Sequence, residues 1–407
     1  MKFPKCVMRK ASLQGKTVLL RADYNVPLAD GKISDDFRIR SSIPTIQKLL
    51  EYGCKVVIIS HLGRPEGVDL QFSLEPVAVR LTELLGRDVK FIDQSIGPKV
   101  HMEVKRAPQQ SVILLENLRF HAGEEANDLS FAKQLAIDSG AAYLVQDGFG
   151  VVHRAHASTS AITQCLPSVA GLLLEREYVT IMNAMQSPER PLVAVLGGAK
   201  VSDKIGVIKA LVGVADTIIV GGAMANTFLA HHGLFMGDSK VEADQTQVIN
   251  DIYEAVYRKV GRDHADEFLV LPVDLGVGTS TESTATRQDV SVQSVPAGSR
   301  ALDLGPETDR KIKAIVEQAH TVIWNGTLGF AESPVFAASS RALAETLVQH
   351  RDTITSIVGG GDTADFVIGW DAQHGDSFSH VSTGGGASLE LMSGEKLPGI
   401  EALLDAR

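Results

Sequence analysis

The segment P-L-V-A-V-L-G-G-A-K-V-S-D-K-I, residues 191–205, decides how this chain is read. Its apolar run does not alternate with polar residues, so a strand built from it is buried on both faces, as in a parallel sheet covered by helices on either side. The glycine pair Gly197-Gly198 stops the run and a helix-like stretch follows. Strand, tight turn and helix in that order form the repeating unit of an α/β fold.

The unit recurs along the whole sequence. The first half carries T-V-L-L-R-A-D-Y-N at 17–25, K-V-V-I-I-S-H-L-G-R at 55–64, V-K-F-I at 89–92, V-I-L-L-E-N-L-R-F at 112–120 and A-Y-L-V-Q-D-G-F-G at 142–150. The second half adds T-I-I-V-G-G-A-M-A at 217–225, F-L-V-L-P-V-D at 268–274, T-V-I-W-N-G at 321–326, S-I-V-G-G-G-D-T at 356–363 and S-H-V-S-T-G-G-G-A at 379–387. A chain of 407 residues is long enough for two cores. The expected fold is therefore α/β, with two doubly wound parallel-sheet (Rossmann-like) domains that join near residues 172–187, where E-R-E-Y-V-T-I-M precedes the turn S-P-E-R-P. The polar segment 276–300 reads as strands and turns on the surface.

A net charge of −10 opposes a general binder of nucleic acid or of acidic membranes, so an anionic ligand has to be met by a local basic cluster. Cys6, Cys54 and Cys165 are odd in number and lack metal-type spacing, which fits buried or incidental thiols in a reducing cytoplasm. The start, M-K-F-P-K-C-V-M-R-K, has no signal-peptide apolar region, and no run approaches the roughly 18 apolar residues of a membrane span. The location expected is cytoplasmic.

Ligands of such sheets bind beyond the carboxyl ends of the strands, and the residues there differ between the halves. First-half runs close on Arg21, Asp23, Asn25, His61, Arg64 and Arg119, with His153, Arg154 and His156 just after the fifth. Second-half runs close mainly on glycine pairs and triplets, with Lys200, Lys204, Asp274, Asn325 and Asp362 nearby. One half suits a small polyanion held by side chains, the other phosphates held by backbone amides.

Several chemistries lack their signatures. No G-x-x-x-x-G-K-[ST], no strand-linked G-x-G-x-x-G and no G-x-S-x-G occurs, which weakens P-loop, dehydrogenase and hydrolase readings. Lys200 and Lys204, four apart at a helix start, are either two solvated lysines or the two sides of a phosphate site that offsets their repulsion. In G-G-G-D-T, Asp362 is either an N-cap or a ligand that meets phosphates through Mg²⁺. His153 and His156 could ligate a metal by spacing alone, but no acid or cysteine clusters beside them.

R-A-D-Y-N-V-P (21–27), S-D-D-F-R-I (34–39), S-H-L-G-R-P (60–65), L-L-E-N-L-R-F (114–120), H-R-A-H-A-S-T (153–159), L-G-G-A-K-V-S-D-K-I (196–205), W-N-G (324–326), G-G-G-D-T-A (359–364) and S-T-G-G-G-A-S-L-E (382–390) together resemble the phosphoglycerate kinase family, in family order and over nearly the whole chain. The resemblance implies an N-terminal domain, 1–171 with 392–407, that binds 3-phosphoglycerate or 1,3-bisphosphoglycerate. Its implied ligands are Arg21, Asp23, Tyr24, Asn25, Arg38, His61, Leu62, Gly63, Arg64, Arg119 and Arg154. It implies a C-terminal domain, 172–391, that binds MgATP or MgADP through Lys200, Lys204, Asn325, Glu332, Gly360, Gly361, Asp362 and Thr363. Asp362 is the implied Mg²⁺ ligand and Glu332 the ribose ligand. Arg38, Lys200, Lys204, Gly361 and Gly384 are the implied catalytic groups.

The implied activity is reversible phosphoryl transfer between 1,3-bisphosphoglycerate and ADP, in glycolysis, gluconeogenesis or carbon fixation, by a monomer. With substrates on different domains, the joining helix would act as a hinge whose closure aligns them and excludes water. The alternative is a catalytically weak paralogue that binds nucleotide or triose phosphate in a regulatory role. Departures from the family pattern cluster at Thr327 and Phe330-Ala331, before Glu332, and at Gln146, Gly148 and Val151-Val152, before Arg154.

Overall fold

Successive residues of the strand Thr17–Arg21 part to opposite sides of a sheet: Val18 and Leu20 enter one core, Leu19 the other. Val56 and Ile58 against Val57 and Ile59, and Val112 and Leu114 against Ile113 and Leu115, divide the same way. This is why the runs do not alternate: a sheet covered on both faces buries every position, each such side chain contributing about 1.5–3 kcal/mol relative to exposure. The computed structural model describes residues 2–29, 31–282 and 284–406. Met1 and Arg407, the ends of the expected N-terminal domain, lie outside the described residues.

The described chain divides into two compact units, residues 1–179 with 396–407 and residues 180–395. In the first, six parallel strands lie in the order Val89–Ile92, Val112–Leu115, Lys55–Ile59, Thr17–Arg21, Tyr143–Gln146, Ser168–Ala170. The last of these is a short edge strand that the sequence reading does not contain, its three residues being too few to show a pattern. Strand order reverses beside Thr17–Arg21, so the carboxyl ends of Thr17–Arg21, Lys55–Ile59 and Tyr143–Gln146 open on one crevice. The helix Phe37–Glu51 buries Ile39, Ile46, Leu49 and Leu50 and carries Arg38 in its first turn.

The second unit has the order Leu269–Val270, Thr217–Val220, Leu192–Leu196, Thr321–Asn325, Thr355–Gly359, His380–Val381, again all parallel. Its reversal lies between Leu192–Leu196 and Thr321–Asn325. Both sheets are thus doubly wound, as expected. The run 268–274 is not one strand. Leu269–Val270 ends before Pro272, which has no amide for a ladder, and Asp274–Gly278 joins Gln288–Ser291 and Arg300–Leu304 in a separate antiparallel sheet. Of the segment read as surface, Gln288–Ser291 is exposed but Asp274–Gly278 is buried throughout.

Candidate active site

In the first unit the strand ends bring together a buried polar cluster. Arg21 has no exposed surface: its Nε donates to Ser158 Oγ at 2.8 Å, and its Nη2 lies 3.7 Å from Glu124 Oε1 and 3.3 Å from His61 Nδ1. Arginine has only donors, so Nδ1 of His61 is the acceptor and its ring proton sits on Nε2. Burial pushes His61 well below its ordinary pKa, Arg21, Arg119 and Arg38 push it further, and Asp23 opposes them. At neutral pH His61 is an uncharged hydrogen-bond donor. Burial raises the Asp23 carboxyl, but the charges of Arg38 and Arg21 and the Asn25 amide help to hold the group below its ordinary value. Asp23 is therefore ionised and accepts the Asn25 amide at 3.1 Å.

Other groups build the rim. Asn25 accepts at its carbonyl from Arg38 and at its Oδ1 from the Gly63 amide, 2.9 Å away. Gly63 has φ +63° and no room for a Cβ, which would meet the Phe72 ring at 2.3 Å. Its carbonyl accepts from Arg119 Nη1 at 2.5 Å. Arg64 and Arg154 are exposed and close enough to Arg119 to lower its pKa beyond the effect of burial. Arg38, Arg64, Arg119 and Arg154 thus face a common region with Asp23, Asn25 and His61. Arg21, Tyr24 and Leu62, by contrast, are inside the protein, with 0%, 0% and 3% exposure, and can reach a ligand only through their neighbours. Tyr24 is tied to Ser60 and Ser42, and Leu62 to Asn117.

Glu124, Ser158 and His156 complete this cluster. Glu124 is fully buried and accepts from the Ser158 amide and hydroxyl, while His156 Nδ1 lies 3.9 Å from it. Burial, then Arg21 and Arg119, bring His156 down to about 4, so it is neutral. His153 turns instead to Arg154, whose Nε lies 3.2 Å from its Nε2. The two histidines do not form a metal pair, and among the described residues no three His, Cys, Asp or Glu groups are placed to hold a metal.

The second unit builds its site from backbone. Gly197 and Gly326 approach so closely that a Cβ on Gly326 would lie 2.3 Å from Gly197 C and 2.5 Å from Lys204 Nζ. Lys204 Nζ donates to the carbonyls of Gly197 and Asn325, both at 2.8 Å. Burial lowers its pKa to about 8, with Asp362 and Asp203 opposing. Asn325 is buried, and its Nδ2 has no hydrogen-bond partner beside Gly359 and Gly360. Such an orphaned donor marks a place where a ligand acceptor fits. Thr363 Oγ1 accepts from the Gly326 amide at 2.7 Å.

The two glycine triplets meet. Helix Gly361–Trp370 begins beside helix Gly385–Met392, and a Cβ on Gly385 would lie 2.8 Å from the Gly361 amide nitrogen. Two helix starts, each with unpaired amides and the positive end of a dipole, therefore point into the same region as Lys204. No atom lies within 4 Å of where a Gly361 Cβ would be, and Asp362 beside it is exposed. We expect Gly385→Ala to push these helix starts apart and to lower kcat/KM for a substrate whose anionic groups sit between them about tenfold or more. Steady-state kinetics with each substrate varied in turn checks this, and an unchanged value would separate the two triplets functionally.

One expected placement changes. Lys200 and Lys204 are not stacked on a helix: Lys200 is exposed in a turn, Ser202–Lys204 is a 3-10 turn, and the α-helix starts at Ile205. The anion on the amides after Lys200 is an internal carboxylate, Glu242. Asp274, noted near a strand end, caps the helix Pro306–Val316, accepting from the amides of Glu307 and Thr308 at 2.9 and 2.8 Å. Glu332 is exposed on the loop after Thr321–Asn325, and among the described residues its carboxylate has no hydrogen bond or ion pair to the cluster.

At the departures, Thr327 lends its carbonyl to the Gly198 amide at 3.0 Å. Gly148 lies so near Ala22 and Asp23 that a Cβ would meet their backbone at 3.2 and 3.3 Å.

A family model described as phosphoglycerate kinase matches residues 8–395. The phosphoglycerate kinase of Trichodesmium erythraeum is 46% identical over 400 residues, covering 98% of each chain. That of Dictyoglomus turgidum is 44% identical over 398 residues, again with 98% of each covered. Among solved structures, phosphoglycerate kinase from Coxiella burnetii superposes with a TM-score of 0.82 at 36% identity, covering 98% of each chain.

Proposed function

The chain belongs to the phosphoglycerate kinase family, and on that premise we propose that it catalyses reversible phosphoryl transfer between 1,3-bisphosphoglycerate and ADP, giving 3-phosphoglycerate and ATP. The observation that carries this reading is the convergence of Lys204, the unpaired Asn325 amide and two opposed helix starts at Gly361 and Gly385. That arrangement suits the phosphates of a nucleotide.

The acceptor is a carboxylate already ionised at neutral pH, so no general base is required of the chain. What it must supply is position and positive charge around the moving phosphoryl group. Arg38, Arg64, Arg119 and Arg154 hold the phosphate and carboxylate of 3-phosphoglycerate, whose hydroxyl is met by the ionised Asp23. Neutral His61 donates from Nε2, and buried Arg21 fixes its ring. Lys200, Lys204 and the amides at Gly361 and Gly384 neutralise the transferring group, Asn325 and Thr363 order the nucleotide phosphates, and Glu332 takes the ribose. The exposed carboxylate of Asp362, beside open space, would hold Mg²⁺ that arrives with a nucleotide. When bound, the ion would supply positive charge that offsets the phosphates beside Asp362. Free thiols at Cys6, Cys54 and Cys165 fit a reducing cytoplasm.

A coupled assay with 3-phosphoglycerate and MgATP tests the proposal; measurable nucleotide binding without turnover would reject it. A second result concerns protons. Phosphates beside Lys204 favour its charged form, so MgADP binding at pH 8–9 is expected to take up a proton that the free site lacks. Calorimetry in buffers of different ionisation enthalpy reads this uptake, and Lys204→Met should abolish it.

A further inference from the structure

Lys200 stands in a turn anchored on one side by Gly198, whose amide donates to the Thr327 carbonyl and whose carbonyl accepts from the Met224 amide, both at 3.0 Å, and on the other by buried Val201. Gly198 before it has φ +93°, and Val201 has no side-chain cap from within the turn. The Val201 and Ser202 amides both donate to Glu242 Oε2, at 2.8 and 3.1 Å, and the Ser202 hydroxyl donates to Oε1. Glu242 lies between the helices Gly222–His231 and Thr246–Val260, and its own amide donates to Thr227 Oγ1 at 3.1 Å. Thr227 is buried on the first of these helices. That helix starts at Gly222, where a Cβ would lie 2.6 Å from the Gly198 amide nitrogen. The contacts close a ring, from Gly198 through Gly222, Thr227 and Glu242 back to the residues after Lys200.

Burial raises the Glu242 carboxyl, but its bonds from Ser202 and Val201 and the nearby Lys200 charge outweigh this and keep it ionised. Hydrogen bonds from amides to a carboxylate are about twice as strong as neutral ones.

We propose that Glu242 is a positioning residue for phosphoryl transfer, its carboxylate holding the Lys200 turn through the amides of Val201 and Ser202 and the Ser202 hydroxyl. The kinetic consequence rests on the kinase reading above. Glu242→Ala leaves two amides and a hydroxyl without their acceptor, so the turn loosens while the groups around Gly361 still hold nucleotide. Glu242→Gln keeps an acceptor oxygen at the same reach, and Glu242→Asp is too short to reach.

The full chain carrying each variant is assayed with both substrates varied, and amide hydrogen exchange is followed at Val201 and Ser202. Glu242→Ala and Glu242→Asp are expected to lower kcat about 10–100-fold with KM for MgATP within about threefold, and Glu242→Gln to stay within about fivefold of the parent kcat. Exchange at Val201 and Ser202 should quicken in Glu242→Ala, with the strands Leu192–Leu196 and Thr321–Asn325 unaffected. Parent-like kcat in Glu242→Ala, an equal loss in Glu242→Gln, or a loss carried by KM overturns the proposal. If the parent chain itself shows no turnover, the kinase reading fails on its own. The exchange result then decides the contact role, and unchanged protection in Glu242→Ala rejects it.

Discussion

Arg38→Ala is expected to lower kcat by about 10³-fold, the scale on which a single charge aimed at a transferring phosphoryl group acts. The side chain is half-buried and its one described hydrogen bond goes to the Asn25 carbonyl. Its loss removes that bond, worth about 1 kcal/mol, and the foremost charge that keeps buried Asp23 ionised, so a measurable stability loss accompanies the catalytic one, which is the larger of the two. Arg38→Lys should recover about tenfold at most, because an ammonium cannot reproduce the planar fork of a guanidinium. Rapid-quench measurement of the transfer step with unfolding followed in parallel checks both halves. A kcat within threefold of the parent would remove Arg38 from the reaction.

Lys204→Met is the second large effect: kcat/KM for MgATP should fall roughly 10³-fold, as the variant takes one cation from the place where phosphate charge collects. Its stability behaves differently from that of an ordinary lysine variant. The folded-state pKa of about 8 lies below the usual 10.5 of an unfolded chain. Below pH 8 the amine is charged in both states and the folded protein bears the full desolvation cost. Between pH 8 and 10.5 the unfolded chain holds more protons, so this group makes stability rise with pH. The rise is on the order of 3 kcal/mol, opposed in the comparison by the hydrogen bonds to Gly197 and Asn325 that the variant lacks, about 1 kcal/mol each. The variant should be about as stable as the parent at pH 7 and less stable than it by several degrees of Tm near pH 10. A difference in Tm that stays constant from pH 7.5 to 10 would show that Lys204 is not the titrating group.

The fold was largely legible because local pattern encodes it. A run such as V-V-I-I at 56–59 buries every residue only where helices cover both faces, and the glycines after the runs at 217–220 and 356–359 announce a turn into a helix. The pattern weakened where runs were short or interrupted. Ser168–Ala170 is too brief to read, and Pro272 splits one apolar stretch between two sheets. Residue types at the strand ends, arginine and histidine in one half and glycine and lysine in the other, were also plain in the sequence.

What the sequence by itself determined is therefore the doubly wound architecture and the list of groups at the carboxyl ends of the strands, since both follow from periodicity and order along the chain. Only the tertiary structure decided which of those groups face outward. Arg21 and Arg64 look alike as strand-end arginines, yet one is sealed against Glu124 and Ser158, more than a hundred residues away, and the other is exposed. Neither the meeting of Gly361 with Gly385 nor the reach of Glu242 to Val201 and Ser202 leaves a local trace. Contacts of that kind depend on strand order and on the space between packed backbones, which no short window of sequence records.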